Sequence, residues 1–511
     1  MPARRPSILV TGASGFIGQH MLQATKNDFM IYALARRVPD EPTLIHQPNI
    51  VWIRADIAEQ ESLASALGLL RDRGGVDYVL HLAGFYDFNY DQNPEYERTN
   101  VLGTRNVLEQ SRSLNIERFL FASSLAACEF PRNGQVLDER SPADALFAYA
   151  RSKNKGEELV REHARHFKTA TIRFAAVFSD WCEYGPLYNF LRTWLTRNLK
   201  ARIVGGRGQS AITYIHIQCL ISHLLLIMRR SRQLPDSDTF IASPENPLTH
   251  NELFALATKF FYGRSRAPVH VPKAIAYPGV LAMDGIGRLV GQRPFERPWM
   301  MRYVDRQLRV NTAYTRRVLG WTPTDRNRLE RRLLFLIEHM KSYPFEWEKR
   351  NSKALKRFQM SPNARLYQAL DSVRDEVVQK TLDTLDDVAQ RAMFGEYQRL
   401  DRPTLRKDLI TTFQFLSVSV RSRDRMSMLA YARQIAEMRS SQGVTQEAVR
   451  NALLAFGRIT QETLLGRPEL KGMEQEIYDE ISLTFQLIVD EVEGTFELLE
   501  RKTKAILTLH D

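Results

Sequence analysis

The sequence predicts an α/β fold: a Rossmann-type, doubly wound parallel sheet with a small substrate-capping lobe, followed by an all-α helical bundle. Three observations carry that expectation. Short apolar runs alternate with helix-length amphipathic segments up to about residue 175; a glycine loop follows the first of those runs directly; and residues 363–511 show only helical periodicity.

The runs Ser7–Val10, Met30–Leu34, Val51–Ile53, Tyr78–Leu82, Arg118–Ala122 and Thr169–Arg173 read as strands. They are short, rich in Val, Ile, Leu, Phe and Tyr, and spaced for intervening helices, the rhythm of βαβ units whose ligands bind beyond the carboxyl ends of the strands. From about Ser179 the rhythm loosens, as a capping lobe requires. The stretch 346–362, EWEKRNSKALKRFQMSP, is basic and weakly periodic and reads as a linker. Ser361 is the expected cap of a new helix with Pro362 in its first turn. Beyond it, Leu366, Leu370, Val373 and Val377 repeat at spacings of four and three, as do Leu405, Leu409, Phe413, Leu416 and Val420, and later Ile477, Ile481, Phe485, Ile488 and Val492. Breaks at Asp401–Pro403, Gln442–Gly443 and Gly466–Pro468 divide this part into five or six helices. The expected domains are 1–345, the linker 346–362, and 363–511.

A chain of 511 residues exceeds one ordinary core, and 44 % apolar with 25 % charged residues describes a globular protein. Cys128, Cys182 and Cys219 form no close-spaced pair, so neither a disulfide framework nor a zinc cluster is suggested, and a reducing compartment fits. The start MPARRPSILVTGASG runs from two arginines straight into a strand, so no signal peptide is read, and no apolar run has the roughly 18–20 residues of a spanning helix. A cytoplasmic protein is expected. Residues 363–511 hold 20 Lys and Arg against 24 Asp and Glu, which leaves residues 1–362 with a net charge of +16. Such a balance suits nucleic acid, an acidic membrane surface or an anionic cofactor. No nucleic-acid motif accompanies it, so nucleic acid is not expected. There is no histidine between His339 and His510 and no cysteine after Cys219, which excludes haem or metal bound by those ligands in the tail core. No metal site is predicted.

The first functional pattern is Thr11-Gly12-Ala13-Ser14-Gly15-Phe16-Ile17-Gly18, set between a strand and a helical stretch. Gly12 permits the tight turn, Gly15 a close approach of backbone to a pyrophosphate, and Gly18 close packing of helix on strand. The helix amino end adds free N–H groups and partial positive charge. At the end of the second strand, Ala33-Leu-Ala-Arg36-Arg37 carries no acidic residue for a ribose 2′-hydroxyl, so Arg36 and Arg37 favour NADP(H), with NAD(H) the alternative.

The second pattern is Tyr149-Ala-Arg-Ser-Lys153, which puts both key side chains on one helix face. A phenol titrates near pH 10 unless a neighbouring cation stabilises its phenolate, and Lys153 is placed to do so. Tyr149 is then the candidate acid/base. Upstream, Phe121-Ala-Ser123-Ser124 at a strand end offers a hydroxyl to a substrate oxygen.

In these motifs the chain resembles an extended short-chain dehydrogenase/reductase of the NAD-dependent epimerase/dehydratase superfamily, with further matches from Ser7 to about Tyr343. They are Asp56-Ile57, His81-Leu-Ala83-Gly84, the run from Asn100 to Asn106, Ile172–Phe178, Tyr214–Ile217 and Leu319–Pro323. The resemblance implies that Asp56 and Ile57 contact the adenine, that Ala83 and Gly84 pass beside the cofactor, and that Asn100 braces the fourth strand and its helix. Ser124 would bind the reacting oxygen, Tyr149 would be the acid/base, and Lys153 would hold the ribose hydroxyls. Ser123 is the lesser candidate by position. Sugar-nucleotide members carry an arginine and then an acidic pair where this chain has Ile212 and Gln218-Cys219, with Arg207 out of register. That counts against a nucleotide sugar. The segment from Pro272 to Leu289 resembles the apolar lid of hydroxysteroid-dehydrogenase-like members. Residues 408–465 resemble bacterial non-haem, globin-like sensor domains, and a packing or dimerisation bundle fits the same pattern.

The expected function is therefore NAD(P)(H)-dependent interconversion of a carbonyl and an alcohol on a small, apolar substrate, in a homo-oligomer. One alternative is an epimerase or dehydratase that retains its NAD; another, of a different class, is a cofactor-binding redox sensor acting through the tail.

Overall fold

Seven parallel strands form the sheet that organises the first half of the chain: β1 (Ser7–Thr11), β2 (Met30–Ala35), β3 (Ile50–Arg54), β4 (Tyr78–His81), β5 (Arg118–Ser124), β6 (Thr169–Phe174) and β7 (Ser237–Ala242). The computed structural model describes residues 5–36, 47–87, 92–132, 135–196, 199–290, 296–355, 362–422 and 425–507; the sequence-predicted positions Arg37 and Ser361 lie outside them. The spatial order is β3-β2-β1-β4-β5-β6-β7, reversing direction between β1 and β4. This is the expected doubly wound fold.

Alternate residues of each strand feed two cores. Ile8, Val10, Ile31, Ala33, Leu80, Leu120 and Ile172 join α1 (Phe16–Thr25) on one face. Leu9, Leu34, Ile53, Val79, Phe119 and Phe121 join α2 (Gln60–Asp72), α3 (Gly103–Ser111) and α4 (Ala148–His163) on the other. With both faces covered, the strands need the near-continuous apolar runs seen in the sequence.

Six of these strands were legible. The seventh, SDTFIA, starts polar, and only Phe240, Ile241 and Ala242 are buried in it. It becomes a strand because β6 offers an open edge, register-matched from Thr169↔Ser237 to Phe174↔Ala242. Arg118 fixes the approach to that edge: fully buried, its guanidinium donates to the carbonyls of Thr169, Ser231, Leu234 and Pro235.

The capping lobe is built from small two-stranded pairings, Ala176–Phe178 with Tyr214–His216, Ile203–Gly205 with Val269–Val271, and Ala211–Ile212 with Leu248–Thr249. It also holds α5 (Ile217–Arg229) and α6 (Lys273–Val290).

The chain divides into two compact units, Met1–Ser342 with Lys353–Lys356, and Tyr343–Ser352 with Arg357–Asp511. Within the stretch read as linker, Pro344–Leu355 is a helix. Its basic composition hid this, but Pro344 suits the first turn and Glu346 Oε1 pairs with Arg350 Nε one turn later at 2.7 Å. The long helices described after it are Pro362–Asp386, Arg402–Ser422, Met426–Ser441, Gln446–Leu465 and Leu483–Leu507. Their apolar stripes, among them Leu370, Val377, Phe413, Leu416, Phe456 and Phe485, are buried in one core. No helix among the described residues is long and apolar enough to cross a membrane.

Candidate functional site

The crevice lies where the strand order reverses, between the carboxyl ends of β1 and β4. Gly12 turns there with φ +71°, and a Cβ on it would stand 2.7 Å from Ala83 N, so the glycine loop touches the Ala83-Gly84 segment backbone to backbone. A Cβ on Gly18 would stand 2.5 Å from Gly12 O. Gly15 N–H donates to Gly12 O at 3.0 Å, and Gly15 begins α1 with no side-chain cap. The uncapped N–H groups and the crowded glycine cradle fit a dinucleotide's pyrophosphate. Ser14, Phe16 and Ile17 are half-buried on the same loop and first turn.

One hydrogen-bonded chain ties this loop to β4. Thr104 Oγ1 donates to Asn100 O (2.6 Å), so it accepts from His81 Nε2 (3.0 Å). His81 Nδ1 then accepts from Thr11 Oγ1 (2.7 Å), which in turn accepts Ala83 N–H (3.2 Å). Burial holds His81 neutral, with its pKa pushed down to about 3. Histidine at this position acts as a two-ended strut between β1 and α3, a role its spacing in the sequence did not reveal.

At the second-strand end, Arg36 extends half into solvent, with its Nη1 3.9 Å from Glu95 Oε2 and 4.0 Å from Asp56 Oδ2. Asp56 is occupied on both oxygens, by Ala58 N–H and by Arg98 Nη2, each at 2.9 Å. Partial burial opposes its ionisation, yet those two donors outweigh burial and hold its carboxyl below the usual range. Ile57 is buried beneath α3, where a Cβ on Gly103 would stand 2.7 Å from its Cδ1.

Asn100 sits in a π-helical stretch, Tyr96–Leu102, that leads into α3. Its side chain brackets Phe85, accepting Phe85 N–H (2.5 Å) and donating to Phe85 O (2.9 Å). Its Nδ2 also donates to Ser152 Oγ (2.9 Å), and Ser152 Oγ donates to Tyr149 O (2.7 Å). Asn100 thereby braces the segment after β4 against the helix that carries Tyr149 and Lys153.

Lys153 is buried, and its Nζ donates to Ala122 O at 2.7 Å. A Cβ on Gly84 would stand 3.6 Å from that Nζ, which puts the ammonium directly under the Gly84 backbone. Nζ lies 5.9 Å from the Tyr149 ring centroid and 5.2 Å from that of Phe121. Burial pushes its pKa down to about 8, against the partial support of Glu157. Ser124 ends β5, and its Oγ accepts Ala126 N–H (3.1 Å), leaving the hydroxyl hydrogen directed elsewhere. Ser123, on the other side of the strand, donates to buried Glu157 (2.6 Å), itself ion-paired with Arg173 (2.9 Å). The sheet's alternation thus separates the two serines.

Aromatic rings crowd Tyr149: Tyr86 lies edge-on at 4.5 Å, Phe147 at 6.4 Å, and Trp299 stacks on Phe147 at 5.5 Å. Sequence reasoning missed this wall because its members come from three separated segments with no shared period. Among the residues weighed for a sugar diphosphate, Ile212 pairs in a strand with Leu248, Cys219 is buried on α5, and the Arg207 side chain is largely in solvent beside Asp305.

The model of the NAD dependent epimerase/dehydratase family matches residues 8–242. N-acetyl-alpha-D-glucosaminyl-diphospho-ditrans,octacis-undecaprenol 4-epimerase of Escherichia coli O157:H7 is 31 % identical over 297 residues, 56 % of this chain and 82 % of the relative. A decarboxylating sterol-4-alpha-carboxylate 3-dehydrogenase of Saccharomyces cerevisiae is 22 % identical over 342 residues, 62 % of this chain and 93 % of that enzyme. Among solved structures, the UDP-glucose 4-epimerase of Thermotoga maritima with UDP-glucose aligns at TM-score 0.50 and 21 % identity, covering 66 % of this chain and 98 % of that one. The chain belongs to the NAD-dependent epimerase/dehydratase family.

Proposed function

We propose that this member of the NAD-dependent epimerase/dehydratase family interconverts a carbonyl and an alcohol on a small, largely apolar substrate, with Tyr149, Lys153 and Ser124 at the reacting centre. The observation that carries this reading is the buried Lys153 ammonium, anchored on Ala122 O beneath Gly84 and one helical turn from Tyr149. When bound, the nicotinamide supplies or accepts the hydride. Gly12, Gly15, Gly18 and the first turn of α1 hold the pyrophosphate; Ala83 and Gly84 line the path to the nicotinamide end, and Asn100 keeps that path in register with α4. Asp56 and Ile57 bound the adenine end. Ser124 Oγ, oriented by the Ala126 N–H it accepts, donates its hydrogen to the substrate oxygen. The Tyr149 phenol gives or takes the proton on that oxygen, and the Lys153 charge stabilises the phenolate between turnovers. Lys153 also has N–H groups beyond the one on Ala122 O for the ribose hydroxyls.

The aromatic wall of Tyr86, Phe147 and Trp299 supports an apolar, flat substrate, as does Ile212 where sugar-nucleotide members carry arginine. The similarity to a sterol dehydrogenase points the same way. The similarity to a diphospho-lipid-linked sugar 4-epimerase favours the second reading, in which tightly held NAD takes the hydride and returns it within one turnover. Cofactor that survives gel filtration with the protein supports the epimerase reading; protein that runs free of it, and oxidises or reduces members of a ketone and alcohol panel at the nicotinamide absorbance, supports the first. For the cofactor we propose a preference for NADP(H), from Arg36 and Arg37 and the absence of an acidic residue at the β2 end. Equal dissociation constants for NAD(H) and NADP(H) by calorimetry would refute it.

The helical unit, whose stretch 408–465 resembles globin-like sensor domains, is proposed as a regulatory or self-association module of a homo-oligomer. It follows that truncation at about Ser361 leaves a cofactor-binding front half with altered assembly or regulation. A front half that cannot fold alone overturns that division.

A further inference from the structure

α6 is an amphipathic helix turned inside out. Ala276, Val280, Asp284 and Gly287 lie on its inner side, and the Asp284 carboxylate, 3 % exposed, sits 3.0 Å from Arg288 Nη2 and 3.8 Å from Arg297 Nη1. The outer side carries Ile275 (67 % exposed), Gly279, Met283 (51 %) and Ile286 (59 %), at spacings of four, four and three. Tyr277 and Leu281 are exposed beside them. A helix of a globular protein in water places its apolar stripe on the core and its charge outside; this one does the reverse. Its composition is unusual for water as well. Pro278 lies inside it, and Gly279 and Gly285 have nothing within 4 Å of a built Cβ. Interior glycine and proline weaken a helix in water, so this one gains from a surface to lie on.

The surrounding charge selects what covers this face. Residues 264–306 hold eight Lys and Arg against three Asp and Glu. Arg264 and Lys273, on the approach to the helix, are exposed and make no ion pair among the described residues. A second copy seated on the face through a two-fold axis would bring two basic rims together, at a cost in repulsion. An anionic bilayer offers both an apolar layer for Ile275, Met283 and Ile286 and a negative surface for the rim. We propose that α6 is an interfacial helix that seats the capping lobe on an anionic lipid membrane, lying in the headgroup plane without crossing it. The helix packs on the Pro298–Tyr303 turn, whose Trp299 stacks on Phe147, so the lobe that meets lipid is the one that walls Tyr149.

Vesicle binding is read without substrate or cofactor, so its failure leaves the oxidoreductase reading standing. The full-length protein is sedimented with vesicles of phosphatidylcholine alone or mixed with phosphatidylserine, in low and high salt. The wild type is expected to bind the mixed vesicles about tenfold better than the neutral ones, with salt weakening the difference. Met283→Glu with Ile286→Glu should remove binding to both while leaving the helical circular dichroism and cofactor binding unchanged. Arg264→Glu with Lys273→Glu should remove only the preference for phosphatidylserine, which keeps the inference open to refutation should the first pair disturb folding. A wild type that ignores the mixed vesicles overturns the proposal. So does a Met283→Glu, Ile286→Glu variant that binds them as well as the wild type, or a vesicle-blind wild type whose dimer is split by those two substitutions.

Discussion

The two units bury polar groups in different ways, and the difference shows how a chain builds a candidate site rather than a plain core. In the sheet unit, buried side chains bond to one another across distant segments: His81 to Thr11 and Thr104, Asn100 to Phe85 and Ser152, Arg173 to Glu157, and Arg118 to four carbonyls. The first three gather near the carboxyl ends of β1, β4, β5 and β6, whereas Arg118 begins β5 and braces the opposite end of the sheet. In the helical unit, buried hydroxyls mostly fold back onto their own helix: Thr381 on Val377 O, Thr412 on Asp408 O, Thr460 on Phe456 O and Thr495 on Glu491 O. Such local bonds specify nothing beyond the turn they sit on. Arg439 departs from this pattern most deeply, buried with Nη2 2.7 Å from Asp408 Oδ2 and its guanidinium 5.4 Å from the Tyr397 ring. One unit uses its interior polarity to brace distant segments around the candidate site; the other is held mainly by apolar stripes.

That contrast is sharpest at Tyr149. Tyr149→Phe is expected to lower turnover about 10²–10⁴-fold on an identified substrate with cofactor affinity nearly unchanged, since only the transferable proton is lost. Wild-type turnover in the variant would dissolve the proposed site. Within the helical unit, Arg439→Ala should cost about 3–5 kcal/mol, because the Asp408 charge is left without its partner. Replacing both, Arg439→Met with Asp408→Leu, should be near neutral in a denaturant melt. If the double replacement is as damaging as the single one, Arg439 serves more than packing and the helical unit is less passive than its core implies.

Acid should separate the units. Burial pushes His81 and His223 down to about 3 and His250 to about 4. In the unfolded chain these groups protonate near 6.5, so as pH falls below that value the unfolded state takes up protons that the folded state refuses. Stability of the sheet unit therefore falls by up to about 1.4 kcal/mol per pH unit for each histidine, continuing until the folded pKa is reached. Five of the six tryptophans, all but Trp347, and every histidine except His510 lie in the sheet unit, so tryptophan fluorescence follows mainly the acid-sensitive part. A melt unchanged between pH 7 and 5 contradicts the assignment of these histidines as buried and neutral. The smallest expected effect is Thr460→Val in the helical core, within about 0.5 kcal/mol by thermal melt, because the lost bond is to its own helix.

The sequence by itself determined the doubly wound class, six of the seven strands, the glycine cradle, the Tyr149–Lys153 face and the stripes of the helical core. All of these are written in local spacing, a period of two or of three to four residues, or in a single short turn, and local spacing is what a chain carries before it folds. It left open what depends on partners distant in the chain. β7 is a strand because β6 has a free edge; His81 is a strut because Thr11 and Thr104 arrive on either side of it; Ser123 and Ser124 part company because Glu157 stands behind one of them. The aromatic wall of Tyr86, Phe147 and Trp299, and the outward turn of Ile275, Met283 and Ile286, likewise appear only once separate segments are packed. Tertiary structure decided these because each rests on which groups are left to pair or to face solvent, and no single segment contains that information.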